Sequence, residues 1–345
     1  MPLRRLIFFP VSFAFVLTVS FLVVRMMPGT AGSDFQMNEA AGGLSAAEIR
    51  LQEETTRRAE GKDLPDFYLS LSQGFRPDNR FHRWLFGDGN GYLGVVHGDM
   101  GRSVRTGQPV SEMISDQLPW TFGLSGVALL ISILISVPAG LYSALHRGGP
   151  ADRMMNIFSL SIFSLPAFWT AALLQLLFAD PDLLGWFNGS GSGPSRIEHP
   201  GFLQRIPYLI LPLSCYVLYA SAFLTKAVRD AAAEEYLLDH ILAARSKGLS
   251  ELRISYVHIL RKLLPVLLTA FGNTLPVMVS GSILIESVFA LPGMGLLIET
   301  AIHSRDYPLL SGVFLICSIL ILTVQLAVDA AVRITDPRTR TIPAK

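Results

Sequence analysis

The sequence predicts an all-α polytopic membrane protein with six transmembrane helices. Three observations lead there. Half of the 345 residues are hydrophobic and only 16% are charged, where a soluble domain carries about 25%. Six apolar runs are long enough, or nearly so, to cross a hydrocarbon core of about 30 Å as helices of about 20 residues. The charged residues, finally, are sorted by loop rather than scattered.

The first run, Leu6 to Val24, follows Arg4 and Arg5 and ends at Arg25. It is longer than a signal-peptide core and no small-x-small cleavage pattern follows it, so residues 1–27 read as a retained N-terminal helix. The next runs are Pro119 to Leu145, Met154 to Ala179, Ile206 to Leu224, Leu263 to Ile285 and Leu309 to Val332. Pro138, Pro166, Pro212 and Pro276 fall inside four of them, and each should bend its helix.

Six spans put both termini on one side. If that side is cytoplasmic, segments 1–5, 146–153, 225–262 and 333–345 together hold 15 Lys and Arg against seven acids. The first external segment carries 10 against 13 over residues 25–118. Short basic loops stay in the cytoplasm, which fixes the expected orientation. The chain then divides into an N-terminal helix (1–27), an external segment (28–118), a five-helix core (119–332) and a cytoplasmic tail (333–345).

Within the external segment, Ala46 to Gly61 reads as a solvent-faced helix. Phe67, Tyr68, Phe75, Phe81 and Trp84 are too dense for a disordered linker and suggest a small folded cap with rings at the lipid interface. Gly189 to Ser195 reads as a flexible linker.

A net charge of +1 gives no bulk attraction to nucleic acid. Cys215 and Cys317 lie in apolar runs and can build neither a disulfide scaffold nor a zinc cluster. His146, His240 and His258 are isolated, so no metal site is expected. No Gly-x-x-x-x-Gly-Lys-Ser/Thr phosphate cradle is present, and neither catalytic residues nor a cofactor is expected.

The long inside loop, 225–262, carries the remaining signal. Residues 227–247 read as one helix with apolar faces, broken at Gly248; Ser250 can cap a second helix leading into the next span. Composition leaves two readings open: a platform for another protein, or a loop resting on its own bundle.

Here a resemblance enters. Asp239-His240-Ile241-Leu242-Ala243-Ala244-Arg245-Ser246-Lys247-Gly248-Leu249 resembles the EAA loop in the membrane subunits of ABC importers. His258, Arg261, Leu264 and Pro265 are similar to the stretch that follows it. Matches to the dipeptide/oligopeptide branch continue in order: Met27-Pro28-Gly29, Gly98 to Ser103, Ser164 to Trp169, Glu286 to Gly295, Arg305 to Pro308 and Asp336-Pro337-Arg338. Residues 31–95 depart from the pattern.

The resemblance implies a permease subunit, not an enzyme, of a bacterial inner-membrane importer for peptides or a similar small solute. Its partners would be a second homologous permease, one or two ATP-binding subunits, an external solute-binding protein and the lipid bilayer. Asp239, Ala243, Ala244, Arg245, Lys247, Gly248 and Leu249 would couple to the ATPase: Gly248 would set the angle of the coupling helix, and Arg245 and Lys247 would meet acidic groups. Polar residues in apolar spans are candidates for the translocation path: Ser132, Ser136, Ser159, Ser161, Ser164, Asn273, Thr274, Ser280 and Ser282. Asn273 leads, because an amide in hydrocarbon needs partners. Pro292 and Gly293 could shape an outer gate or merely a packed loop. Glu286 and Asp329, near span ends, should be satisfied by snorkelling or a neighbouring charge. The competing class is a stand-alone ion-coupled secondary transporter or channel, which would want paired mid-membrane charges or inverted repeats; a purely structural scaffold is a third.

Overall fold

A computed structural model describes residues 2–26, 64–70, 74–89, 91–189, 191 and 202–335. The expected 46–61 helix, the Met27-Pro28-Gly29 and Asp336-Pro337-Arg338 motifs and most of the 189–195 linker lie outside them. The elements are α1 (Pro2–Met26), a two-residue hairpin of β1 (Leu69–Ser70) and β2 (Gly74–Phe75), α2 (Arg80–Phe86), α3 (Val110–Leu145), α4 (Pro150–Ser164), α5 (Ala167–Ala179), α6 (Phe202–Glu235), α7 (Asp239–Ser246), α8 (Glu251–Arg253), α9 (Leu260–Phe289), α10 (Met294–His303) and α11 (Tyr307–Thr335).

Four helical stretches are long and apolar enough to cross a membrane: Val110–Leu145, Gln204–Glu235, Glu251–Met278 and Tyr307–Thr335. Two bent pairs bring the number to as many as six among the described residues. One pair covers the third expected run and carries its bend at Pro166. Leu165, forced toward extended backbone by Pro166, ends α4, and α5 leaves at 103°. The other joins Ile283–Phe289 to Met294–His303 at 87°. Pro138, Pro212 and Pro276 instead remain inside α3, α6 and α9.

The described residues fall into two compact units, one drawn from 2–6, 117–296 and 317–335, the other from 7–116 and 297–316. In the first, α9 packs on α5 and α6, and α4 and α5 pack on α6. Ala128, Leu129, Ala171, Leu211, Cys215 and Phe289 are among the buried residues of its main core. Leu134, at 74% exposure, and Met154, Leu160 and Leu130 point outward, the arrangement of a bundle solvated by lipid.

In the second unit Phe21 of α1 is buried, with ring centroids 5.6 Å from Phe67, 5.3 Å from Phe81 and 5.7 Å from Trp84. Three of the rings expected at a lipid interface therefore pack on one another through Phe21, while Phe75 is exposed. Asn79 caps α2 by accepting from the His82 amide at 2.8 Å. The Gly98–Ser103 motif is a turn. Asp99 accepts from the amides of Leu93 and Gly101 at 3.0 and 2.9 Å, and the Val110 amide donates back to Gly101 at 3.0 Å.

Candidate coupling loop and translocation residues

The loop after α6 is built around a second, smaller core. Leu141, Ala144, Val228, Ala232, Tyr236, Ile241, Ala244, Ile254, Ile259 and Leu263 bury one another. This corrects the expectation of one helix over 227–247. Such a helix, continuous from residue 202, would run about 69 Å at 1.5 Å per residue and leave Ile241 and Ala244 in solvent. The chain turns at Tyr236–Leu238 instead, with Leu238 extended (φ −80°, ψ 147°), and folds α7 back so that both residues join the core. Burying a side chain such as Ile241 stabilises the docked helix by about 1.5–3 kcal/mol. Tyr236 and Ser255 share a hydroxyl hydrogen bond across the turn.

Gly248 ends α7 with φ 77°, a left-handed value that costs an ordinary residue about 1–2 kcal/mol. Ser250 then accepts from the Arg253 amide at 3.4 Å and starts α8. One π-helical turn, Ile254–Ile259, joins α8 to α9; such turns are rare and concentrate at functional sites.

The sequence-derived coupling residues divide by environment. Ala244 and Ile241 face the core. Asp239, Leu242, Ala243, Lys247 and Gly248 are exposed, and Leu249 is half-buried. Arg245 is held within the chain: its Nε and Nη2 donate to Glu251 at 2.7 and 3.2 Å, and its guanidinium lies 5.8 Å from the Tyr236 ring. The hydrogen bond to the Glu251 carboxylate pushes the Arg245 pKa further up, and the pair clasps α7 to α8 across Gly248. Of the two cations expected to meet acidic groups, Lys247 is the exposed one. Leu237, Leu238, Leu252, Tyr256 and Val257 add exposed apolar surface to the same loop.

The translocation candidates separate as well. Asn273 is exposed and lines a cavity of about 210 Å³ with Phe163, Tyr216, Tyr219 and Phe223. Thr274, Ser132 and Ser164 donate to carbonyls four residues earlier in their own helices, at 2.7, 2.7 and 2.8 Å. Ser136 donates across to the Ser221 carbonyl at 3.1 Å. Ser159 is buried and Ser161 exposed. The side chains of Ser280 and Ser282 lie outside the described residues. Pro292 is half-buried, and Gly293 is buried against the carboxylate of Glu286.

Three buried carboxylates escaped the reading of the sequence. Glu286, expected at a wet span end, is 1% exposed. Asp306 accepts from Ser103 and, at 3.3 Å, from the Leu309 amide at the head of α11. Asp152 takes Arg229 through two bonds of 3.0 and 2.9 Å. The side chains that Ser103, Thr121 and Arg229 bring to Asp306, Glu286 and Asp152 lie at least 77 residues away in sequence, and no local spacing announces these pairings.

With this geometry in hand, comparison with known proteins is informative. A family model for the inner membrane component of binding-protein-dependent transport systems matches residues 136–341. The chain belongs to that family. A peptide transport system permease protein of Brucella abortus is 33% identical over 325 residues, 94% of each chain. The oligopeptide transport system permease protein of Bacillus subtilis is 34% identical, covering 75% of this chain and 79% of its own length. Among solved structures, an inward-facing conformation of the MetNI methionine ABC transporter aligns at TM-score 0.52 and 19% identity, covering 65% of this chain and 96% of that one; it supports the fold.

The protein is thus a multi-pass inner-membrane permease subunit of an ATP-driven importer, in which ATP hydrolysis resides in separate subunits. Membership replaces the stand-alone carrier and the scaffold as readings.

Proposed function

We propose that this permease passes peptides, or a solute of similar size, from an external solute-binding protein to the cytoplasm by alternating access. It does so with a second homologous permease and one or two ATP-binding subunits. The cargo class is suggested by the names of the relatives in Brucella abortus and Bacillus subtilis. Both termini and the α6–α9 loop lie in the cytoplasm, on the distribution of Lys and Arg. The described residues of the external segment, with the packed rings of Phe67, Phe81 and Trp84, form a cap that meets the binding protein.

The observation that carries the coupling role is α7 itself. Its inner face is anchored by Ile241 and Ala244, while Leu242, Ala243 and Lys247 are presented outward beside Gly248. In this reading the ATPase receives that outer face in a groove. The Arg245–Glu251 clasp keeps α7 at a fixed angle to α8, so that closure of two ATPase subunits rocks the spans as bodies. Asn273 and Ser280 lie along the solute path. Pro292 and Gly293 gate the outer mouth by moving with the whole turn they sit in.

Gly248 offers the test. A Cβ built there meets nothing within 4 Å, so a substitution disturbs the chain only through its backbone angle. Asn tolerates that angle and Asp nearly so. In reconstituted vesicles, Gly248→Asn should leave solute moved per ATP near the parent value, whereas Gly248→Asp places a carboxylate against the docked subunit and should reduce it at least five-fold with the complex still in the membrane. Normal uptake by Gly248→Asp removes the assignment.

A further inference from the structure

The helix that carries α7 is fastened along its length to α3. Ser132 and Ser136 of α3 reach the carbonyls of Val217 and Ser221 of α6 at 3.4 and 3.1 Å. One turn further, a Cβ on Gly140 would come 2.6 Å from the Val228 Cβ and 2.9 Å from the Thr225 carbonyl oxygen. Small residues at four-residue spacing on α3 let the two backbones close on each other, as in tightly packed membrane helices.

At the α7 end of this seam a single carboxylate gathers three elements. Asp152, at the head of α4, accepts from Ser143 of α3 at 2.6 Å and from the Gly148 amide in the α3–α4 turn at 2.8 Å. It also accepts from Asn156 at 3.2 Å and from Arg229 of α6 through Nε and Nη2 at 3.0 and 2.9 Å. Arg229 is aimed in turn by Asp230 at 2.9 Å, and Asp230 is held by Lys226 at 3.1 Å. Asp152 is 3% exposed, so its charge depends on these partners. Two-pronged guanidinium–carboxylate bonds are among the strongest and most directional available to side chains.

We propose that Asp152 and Arg229 are positioning residues for energy coupling: they lock α3, α4 and α6 into one body, so that a displacement of α7 moves all three helices instead of being lost in the α3–α4 turn. The inference rests on the reading of α7 as the ATPase-docked helix. The mechanical reason is leverage. α6 ends at Glu235, six residues beyond Arg229, and α7 hangs from that end. A push delivered there reaches α4 through the packing of α4 on α6, where Arg229 and Asp152 form the ion pair. A pair that merely stabilised the fold would change how much complex forms, without changing the solute moved by each ATP.

The test uses the assembled importer in vesicles, with Cys215 and Cys317 replaced and spin labels on cysteines at positions 147 and 240. In the parent, the 147–240 distance should stay the same before and after nucleotide trapping. Arg229→Ala should broaden that distribution on trapping and reduce solute moved per ATP at least five-fold, with ATP hydrolysis retained; Arg229→Lys should fall between. Should Arg229→Ala fail to assemble, the neutral pair Asp152→Asn with Arg229→Gln is measured instead, with the same loss expected. Parent-like stoichiometry together with a parent-like distance distribution in whichever variant assembles overturns the proposal. A second label on the ATPase subunit separates the two readings. If position 240 never approaches the ATPase while the 147–240 distance stays fixed, the docking of α7 is wrong and the clasp is only structural.

Discussion

Thr121 and Glu286 meet inside the bundle, the Thr121 hydroxyl donating to Glu286 Oε1 at 2.7 Å. The same hydroxyl oxygen accepts from the Met294 amide at 2.8 Å, and Glu286 Oε2 accepts from the Gly295 amide at 2.6 Å. One side chain from α3 and one from α9 thus satisfy the first amides of α10, which no helical carbonyl can reach. The Pro292–Gly295 turn is pinned by this network.

Breaking it should be costly. Thr121→Val keeps the shape but strips a partner from a buried carboxylate and a buried amide, a loss of about 1–3 kcal/mol. In Gly293→Ala the new methyl would overlap the Glu286 carboxylate. Both variants should lower the melting temperature of the detergent-solubilised complex by several degrees, with Gly293→Ala the worse. An unchanged melting temperature in both would contradict the network's role.

Ile241 is the main apolar anchor of α7, fully buried against the loop core. Ile241→Ala should cost that local docking about 2–5 kcal/mol. Hydrogen exchange of amides 239–248 should accelerate by at least ten-fold while those of α3 and α6 do not change. Uniform protection in the variant would show that α7 is held by something else.

Asp306 holds the head of α11 and receives the Ser103 hydroxyl. Asp306→Ala should release the Gly98–Gly107 turn and make it a new site of limited proteolysis. Ser103→Ala should produce a weaker version of the same cleavage, since the cap on Leu309 survives. Equal resistance of all three proteins would sink this assignment.

Phe21→Ala removes the ring against which Phe67, Phe81 and Trp84 pack. A loss of about 3–5 kcal/mol is expected for such a cavity. The fluorescence of Trp84 should shift to the red and its quenching by iodide should increase, in a background where the other three tryptophans are replaced by Phe.

The long apolar helices were legible because hydrocarbon demands continuous apolar sequence, and the break at Gly248 because its local chemistry suffices. The cap on α8 at Ser250 was local as well. The turn at Tyr236–Leu238 was not, since Tyr236, Leu237 and Leu238 all fit a helix and only the burial of Ile241 in the loop core, beside the 254–259 turn, makes the chain fold back. The same holds for Arg245. Its sequence neighbours suggest an outward cation, and its pairing with Glu251 depends on the angle that Gly248 allows. Asp152 and Arg229, 77 residues apart, are invisible to any pattern of spacing.

The exposure of Ala243 gives the most direct measurement of the central claim that α7 is gripped from the cytoplasm by a separate ATPase. A cysteine at this position, in a background without Cys215 and Cys317, should react with a membrane-impermeant maleimide in inverted vesicles stripped of the ATPase, and should be protected when the ATPase is restored. Labelling from the outside of intact spheroplasts, or reactivity that the ATPase does not change, would contradict it.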